Sequence, residues 1–295
     1  MRVNPNPLPN LLDAIAQTQQ QINTDLEQIA SGSTIHTPSD NPAGAASLVR
    51  NAGKTAEADQ FLRSVNGISE EMQNADSALN SVVSVLQRAI SLGVEGANGT
   101  INASDRAALA AEVQGIQSQL LSLANLSYQG NFVFAGTATQ TAPYILDSTA
   151  PSGVRYVGND NVNTVTVGDN LSVKANLPGS QLFTAAGTDV FQAIQDLITN
   201  LQSGTNIDAA VNSVSTAYEH INAQRVFYGN GMNQLNSQKT FLNSETTQLA
   251  EQQNNISGTD LSKVISDLVN AQTARQATLE AISQTQQTNL FNYIK

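Results

Sequence analysis

Residues 207–256 read IDAAVNSVSTAYEHINAQRVFYGNGMNQLNSQKTFLNSETTQLAEQQNNI, and apolar side chains recur along them at alternating steps of four and three residues. The positions on this spacing are Ile207, Val211, Val214, Tyr218, Ile221, Arg225, Tyr228, Met232, Leu235, Lys239, Leu242, Thr246, Leu249, Gln253 and Ile256. This spacing is typical of helices that pack side by side along their length. If the stretch is one helix it is about 75 Å long. It therefore needs long partner helices to cover its apolar stripe.

Three other segments carry the same spacing and supply those partners. The first contains Leu8, Leu12, Ile15, Gln19, Ile22, Leu26 and Ile29. The second contains Phe61, Val65, Ile68, Met72, Ala75, Leu79, Val82, Leu86 and Ala89. The last contains Leu261, Ile265, Leu268, Gln272, Arg275, Leu279, Ile282 and Gln286, with Leu290 continuing it approximately.

Local signals mark where these helices begin and where the long one is disturbed. Asn41 followed by Pro42 predicts a helix start, because Asn caps the first turn and proline at the first helical position loses no hydrogen bond. Gly229 and Gly231 lie inside the long stretch, and each costs about 1 kcal/mol relative to Ala in a helix. We expect a close helix crossing or a mild bend there and no break.

The middle of the chain has a period of two instead. Short β-type runs such as Phe132–Phe134 and Val165–Val167 alternate with turn signals at 158–161 and 168–170. This pattern predicts a mainly α fold with an inserted antiparallel β domain. The N- and C-terminal halves would form a long, coiled-coil-like helical rod with the β domain at its far end. The predicted parts are an N-terminal assembly arm (1–40), the two halves of the rod (41–130 and 187–258), an outer β domain (131–186) and a C-terminal assembly helix (259–295).

Composition excludes several classes of function. The net charge is −11, whereas nucleic acids and anionic membrane surfaces attract proteins with clustered cations. We therefore expect neither nucleic-acid binding nor membrane insertion, and no apolar run reaches the 18 residues of a spanning helix. The N-terminus lacks the apolar region of a cleaved signal peptide. By these features alone, the chain would be expected in the cytosol.

Candidate chemistry is sparse. The chain has no Cys and two His, His36 and His220, neither of which has a cluster of carboxylates near it in sequence. There is no phosphate-binding glycine loop, and the Asp160 and Asp169 turns lack the spacing of a calcium loop. Glu70 and Glu71 are adjacent on a helix and point apart, so they are not a paired acid and base. We expect no enzyme activity, no cofactor and no metal.

The two end segments are the candidate subunit-packing surface. Polar residues such as Gln19, Gln272, Arg275 and Gln286 interrupt their apolar stripes, which fits either a partly exposed helix surface or a contact with other subunits whose register they fix. Short interrupted helices are marginal alone, so we expect the arms to become ordered on assembly. The predicted packing residues are Leu8, Leu12, Ile15, Ile22, Leu26, Ile29, Leu261, Ile265, Leu268, Leu279, Ile282 and Leu290.

Both ends of the chain also resemble the bacterial flagellin family. The resemblance lies in Ser31-Gly32, Ile35 and Pro38-Ser39-Asp40-Asn41-Pro42-Ala43-Gly44, in Asp105-Arg106 with Glu112, and in Leu279 to Tyr293. Gly130-Asn131-Phe132-Val133-Phe134-Ala135-Gly136-Thr137, followed by Pro143-Tyr144, is similar to the hook–filament junction members of that family.

This resemblance implies a structural adaptor outside the cell, joining the flagellar hook to the flagellin filament. Members leave the cell unfolded through the flagellar type III export channel without a cleaved signal peptide, which reverses the cytosolic expectation. The implied partners are further copies of itself in a ring, the first junction protein on the hook side, flagellin and an export chaperone. The alternatives are filament flagellin and, from another class, a secreted coiled-coil adhesin or phage tail fibre. The last two would not require the block at residues 31–44.

Overall fold

The computed structural model of the chain describes residues 8–291, and side chains as far as residue 284. The helices are α1 (Leu8–Ser31), α2 (Pro42–Gly96), α3 (Ala103–Ala124), α4 (Gly179–Leu182), α5 (Val190–Ser203), α6 (Ile207–Ser257) and α7 (Leu261–Phe291). The strands are β1 (Ser127–Tyr128), β2 (Asn131–Phe132), β3 (Tyr144–Leu146), β4 (Val154–Tyr156), β5 (Thr164–Gly168) and β6 (Leu171–Lys174). The predicted fold class, mainly α with inserted antiparallel strands, is confirmed.

The chain divides into two compact units. The terminal unit comprises Met1–Glu57 and Glu245–Lys295, and the central unit comprises Ala58–Ser244. Both boundaries fall within long helices, because α2 and α6 continue through them. The strands belong to the central unit together with α3, α4 and α5. The five-part division drawn from the sequence stays a prediction.

The core of the central unit repeats every seventh residue along two helices. In α6 the repeating residues are Val214, Ile221, Tyr228, Leu235 and Leu242, each at most 2% exposed. In α2 they are Val65, Met72, Leu79 and Leu86, each at most 1% exposed. A seven-residue repeat keeps one side of a helix against its partner along the whole contact. The long helix predicted for residues 207–256 is confirmed, since α6 runs unbroken for 51 residues.

Arg225 lies among the regularly spaced positions of α6, and its guanidinium group forms hydrogen bonds with residues of α2. Its Nε and Nη2 atoms donate to the two carboxylate oxygens of Asp76 at 2.8 and 3.1 Å, and Nη1 donates to Asn80 Oδ1 at 3.0 Å. The hydrogen bonds that Arg225 donates to Asp76 raise the pKa of Arg225 above its ordinary value. This two-pronged contact sets the register of α6 against α2 within the central unit.

The two glycines of α6 differ in their surroundings. A Cβ atom at Gly231 would lie 2.7–2.8 Å from the side-chain end of Met72 in α2, whereas one at Gly229 would meet nothing within 4 Å. Gly231 therefore permits the close helix crossing that was expected, and Gly229 has no such role. The helix continues through both positions.

The strands pair as three separate antiparallel hairpins, β1–β2, β3–β4 and β5–β6. The first hairpin begins at Ser127, before the predicted start of the β region. Its two-residue turn is Gln129-Gly130, with φ angles of 49° and 83°, as two-residue hairpin turns prefer.

The block that resembles hook–filament junction proteins fastens the hairpins to one another. Phe134 and Tyr144 are fully buried and lie near Phe183, with ring centroids 5.4 and 5.7 Å from it. Gly136 has a φ of 71°, and any Cβ there would collide with the carbonyl of Asn159. The block therefore forms part of the core where the hairpins meet the helices.

Candidate assembly surface

The terminal unit brings the two predicted packing segments together. Ser33 and Gly258 form an isolated antiparallel bridge, and the Thr34 amide donates to the Ser257 carbonyl at 2.7 Å. This bridge holds the end of α1 beside the start of α7, and the two helices pack against each other. The helices α1 and α7 are therefore antiparallel neighbours.

The loop from α1 to α2, which carries the flagellin-like block, is organised by its own polar side chains. Asp40 accepts hydrogen bonds from the backbone amides of Thr37 and His36 at 2.8 and 2.9 Å, and these bonds hold the pKa of Asp40 below its usual value. His36 Nε2 lies 2.7 Å from Ser31 Oγ. Asn41 Oδ1 accepts from the backbone of the first turn of α2 at 2.9 Å, which confirms the predicted cap. These residues shape the turn that places α1 next to α7.

Neither histidine belongs to a metal-binding arrangement in the described structure. The Nε2 atom of His220 lies 2.8 Å from the Gln181 carbonyl. Over the residues that the structure describes, no group of three or more His, Asp or Glu side chains could hold a metal ion. Among the described helices, none combines the length and apolar character needed to cross a bilayer.

Within one molecule, α1 and α7 bury few of the predicted subunit-packing residues completely. On α1, Ile22 and Asp25 are buried at 5% and 3% exposure. On α7, Val264 and Ala271 are buried at 7% and 8%. Of these four residues only Ile22 is among the predicted subunit-packing residues, which stay a prediction because they concern contacts between copies. Six predicted residues are buried or half-buried: Leu8, Ile15, Ile22, Ile29, Leu268 and Ile282.

The other predicted residues lie on the surface. Leu12, Leu26, Leu261, Ile265 and Leu279 are between 48% and 54% exposed. Val269, which the spacing did not select, is also 54% exposed. Leu290 lies within α7, but its side chain is outside the described residues. We call the six exposed residues the outward stripe: Leu12, Leu26, Leu261, Ile265, Val269 and Leu279.

The outward stripe lies on a single side of the helix pair. Most of its members directly follow a buried or half-buried residue, as Leu26 follows Asp25 and Ile265 follows Val264. One residue is a rotation of about 100° around a helix. Because α1 and α7 are antiparallel and face each other, the same rotation turns both helices' stripes to the same side. The six side chains therefore face one side of the helix pair, and each remains about half exposed.

The buried side of the pair contains an uncompensated charge. Asp25 Oδ1 accepts a hydrogen bond from Gln21 Nε2 at 2.8 Å, but Asp25 Oδ2 is buried without a partner in the described structure. A buried acceptor that lacks a hydrogen bond costs about 1–3 kcal/mol, and more when it is charged. The contact between α1 and α7 is therefore weaker than its apolar residues alone would make it.

Comparison with known proteins gives matches along most of the chain. Residues 6–139 match the bacterial flagellin N-terminal helical region, and residues 211–294 match the bacterial flagellin C-terminal helical region. Together these regions cover more than half of the sequence. They include both helices of the candidate assembly surface.

Individual relatives agree with these matches. The chain is 25% identical to flagellar hook-associated protein 3 of Escherichia coli, over 91% of this chain and 92% of that protein. It is 23% identical to flagellin of Listeria innocua, over 98% of this chain and 96% of that flagellin. A putative flagellar hook-associated protein from Vibrio parahaemolyticus has a similar structure, with a TM-score of 0.68 at 21% identity. That match covers 74% of this chain and 100% of the other.

Proposed function

Because this chain belongs to the bacterial flagellin family, it is a structural component of the flagellum, and we propose that it is the adaptor joining the hook to the flagellin filament. The observation that carries the proposal is the outward stripe. It exposes six apolar side chains on the helices that flagellin-family matches cover, and a monomer gains nothing from exposing them. Burial of these side chains between copies would drive formation of a ring.

Burial of the outward stripe supplies part of the driving force for assembly. Burying a whole leucine or isoleucine side chain contributes about 2 kcal/mol, so a half-exposed one has about 1 kcal/mol still to contribute. The six residues together would contribute on the order of 5 kcal/mol per copy, before the cost of ordering the subunits. Repetition around a ring makes a weak single contact sufficient.

The junction role is favoured over filament flagellin by the block at residues 130–137 together with Pro143-Tyr144. This block is similar to junction proteins, and its buried residues hold the hairpins in the core. The proposed neighbours are the first junction protein on the hook side and flagellin on the filament side. An export chaperone would engage the C-terminal helix before the chain leaves the cell without a cleaved signal peptide.

The test places two negative charges in the outward stripe, with Leu26→Asp combined with Ile265→Asp. Both side chains are about half exposed, at 49% and 51%, so the monomer should keep its unfolding temperature. The matched control, Gln17→Asp with Asn270→Asp, adds the same charge to exposed positions on the opposite sides of α1 and α7. Cells carrying each variant are scored for secreted protein, motility and attached filaments.

We expect the stripe variant to be secreted but to leave flagellin unattached in the medium, while the control assembles normally. Normal filaments on cells with the stripe variant would show that this surface is not part of the assembly contact. A deletion strain separates the junction role from the alternative. Flagellin in its medium supports an adaptor, whereas medium without flagellin would identify this chain as the filament subunit.

A further inference from the structure

A cavity of about 360 Å³ lies in the central unit. It is lined by Gly67 and Glu71 of α2, by Tyr128 and Asn131 of the first hairpin, and by Thr139 and Asn163 of the following loops. Gly67 leaves its side of the cavity open, since a Cβ there would meet nothing within 4 Å. The cavity is at the lower end of the sizes that hold small ligands.

The lining of the cavity carries a single charge, which is negative. Glu71 is the charged residue among its lining, and this half-buried carboxylate forms no ion pair and no side-chain hydrogen bond with any described residue. Burial raises the pKa of Glu71. The neighbouring Glu70 is engaged elsewhere, because its carboxylate accepts a hydrogen bond from the Tyr128 hydroxyl at 2.7 Å. Glu71 is thus partly desolvated without a compensating charge.

The remaining lining suits an organic cation better than a metal ion. Calcium requires six to eight oxygen ligands, and a single carboxylate among amides does not provide them. A guanidinium group can donate two parallel hydrogen bonds to one carboxylate and can stack on an aromatic ring. Tyr128 provides such a ring. Asn163 adds a side-chain amide that has no hydrogen bond with any described residue.

We propose that this cavity binds a guanidinium or primary ammonium group, with Glu71 as its counter-ion and Tyr128 and Asn163 as its neighbours. The group could be carried by a free diamine-like molecule or by an Arg or Lys side chain of a second copy of the chain. Both sources have the same chemistry. They differ in whether binding depends on self-association.

The first measurement is a titration of the purified full-length protein with agmatine, in which NMR signals of backbone amides near the cavity are monitored. We expect saturable binding with a dissociation constant on the order of 1 mM. Glu71→Gln should weaken it about tenfold or more, because the neutral amide keeps the shape and removes the charge. Glu57→Gln, an exposed residue of the same helix, should leave it unchanged. N-Butylurea, which is planar but uncharged, should not bind.

Absence of saturable agmatine binding, equal binding by the Glu71→Gln variant, or equal binding of N-butylurea would each overturn the proposal. Sedimentation of the same proteins distinguishes the two sources. If a second copy supplies the cation, agmatine and Glu71→Gln both reduce self-association. If the ligand is free, self-association does not change. All of these measurements use unassembled protein, so their outcome is independent of the junction role.

Discussion

Replacing Asp25 with leucine should strengthen the contact between α1 and α7. Asp25 is 3% exposed, and its Oδ2 atom has no partner among the described residues. Removing a buried, incompletely bonded carboxylate in favour of an apolar side chain is often stabilising by 1–4 kcal/mol, and we take about 2 kcal/mol for this site. That value corresponds to about a 30-fold lower population of the state in which the two helices have separated.

Hydrogen exchange of the α1 and α7 amides measures this population directly. We expect exchange to slow about 30-fold in Asp25→Leu. The effect should be smaller in Asp25→Asn, which removes the charge but keeps a polar group. Asp13→Leu is the matched control, because Asp13 is exposed on the same helix and should have no effect. Unchanged or faster exchange in both Asp25 variants would refute the reasoning, since the carboxylate would then be satisfied in solution. The same data test whether the arms are mobile in the monomer, which stays a prediction.

Three further predictions concern the central unit. Arg225→Gln should lower the free energy of unfolding by about 2 kcal/mol, because a partly buried charge pair is broken. The control is Arg88→Gln, which breaks a salt bridge whose side chains are 57% and 47% exposed, and it should change the free energy of unfolding by less than about 0.5 kcal/mol. Equal effects of the two substitutions in urea denaturation would contradict the prediction. Gly229→Ala should stabilise α6 by about 1 kcal/mol. Gly231→Ala should stabilise the protein by less than Gly229→Ala does, or destabilise it, because its methyl group would lie within 2.8 Å of Met72. Thermal unfolding of the two variants measures this difference. Burial raises the pKa of Tyr156 to about 12, so stability present below pH 10 should be lost as the pH rises towards 12. In urea denaturation at a series of pH values, Tyr156→Phe should lose less of its free energy of unfolding between pH 10 and pH 12. An unchanged loss would contradict this role of Tyr156.

The long helices were predictable because their cores repeat without ambiguity. In α6 the apolar residues fall on every seventh position, and no neighbouring position offers an equally regular choice. Arg225 could be placed on the stripe but not explained, because its partner Asp76 is far away in sequence. Contacts of that kind are not encoded in local spacing.

The end helices were less predictable, for a physical reason that is visible in their sequence. Leu11 and Leu12 are both apolar, so the spacing cannot decide which one faces α7. Further along α1, Asp25 and Leu26 are also neighbours. Hydrophobicity alone predicts that Leu26 is buried, yet Asp25 is the buried residue. Spacing detects an apolar face and does not reveal whether this chain or another molecule covers it.

The hairpins were predictable as local units only. Turn residues mark where a strand reverses, and the signal at 168–170 does lie between the paired strands β5 and β6. The signal at 158–161 lies between β4 and β5, which do not pair with each other. Whether neighbouring hairpins join into one sheet depends on packing over long sequence separations. Here Tyr144 and Phe134 pack towards Phe183, so the hairpins meet through their side chains at the helices.

The placement of charge in the terminal unit has a consequence for assembly. The helices α1 and α7 bury an aspartate between them and leave leucines and isoleucines outside. A sequence selected only for the contact within one molecule would do the reverse, since exchanging the two kinds of residue would strengthen that contact. The observed arrangement leaves the contact weak enough to adjust while the outward stripe keeps its apolar surface for another molecule. Asp25→Leu should therefore stabilise the isolated protein and slow the attachment of filaments.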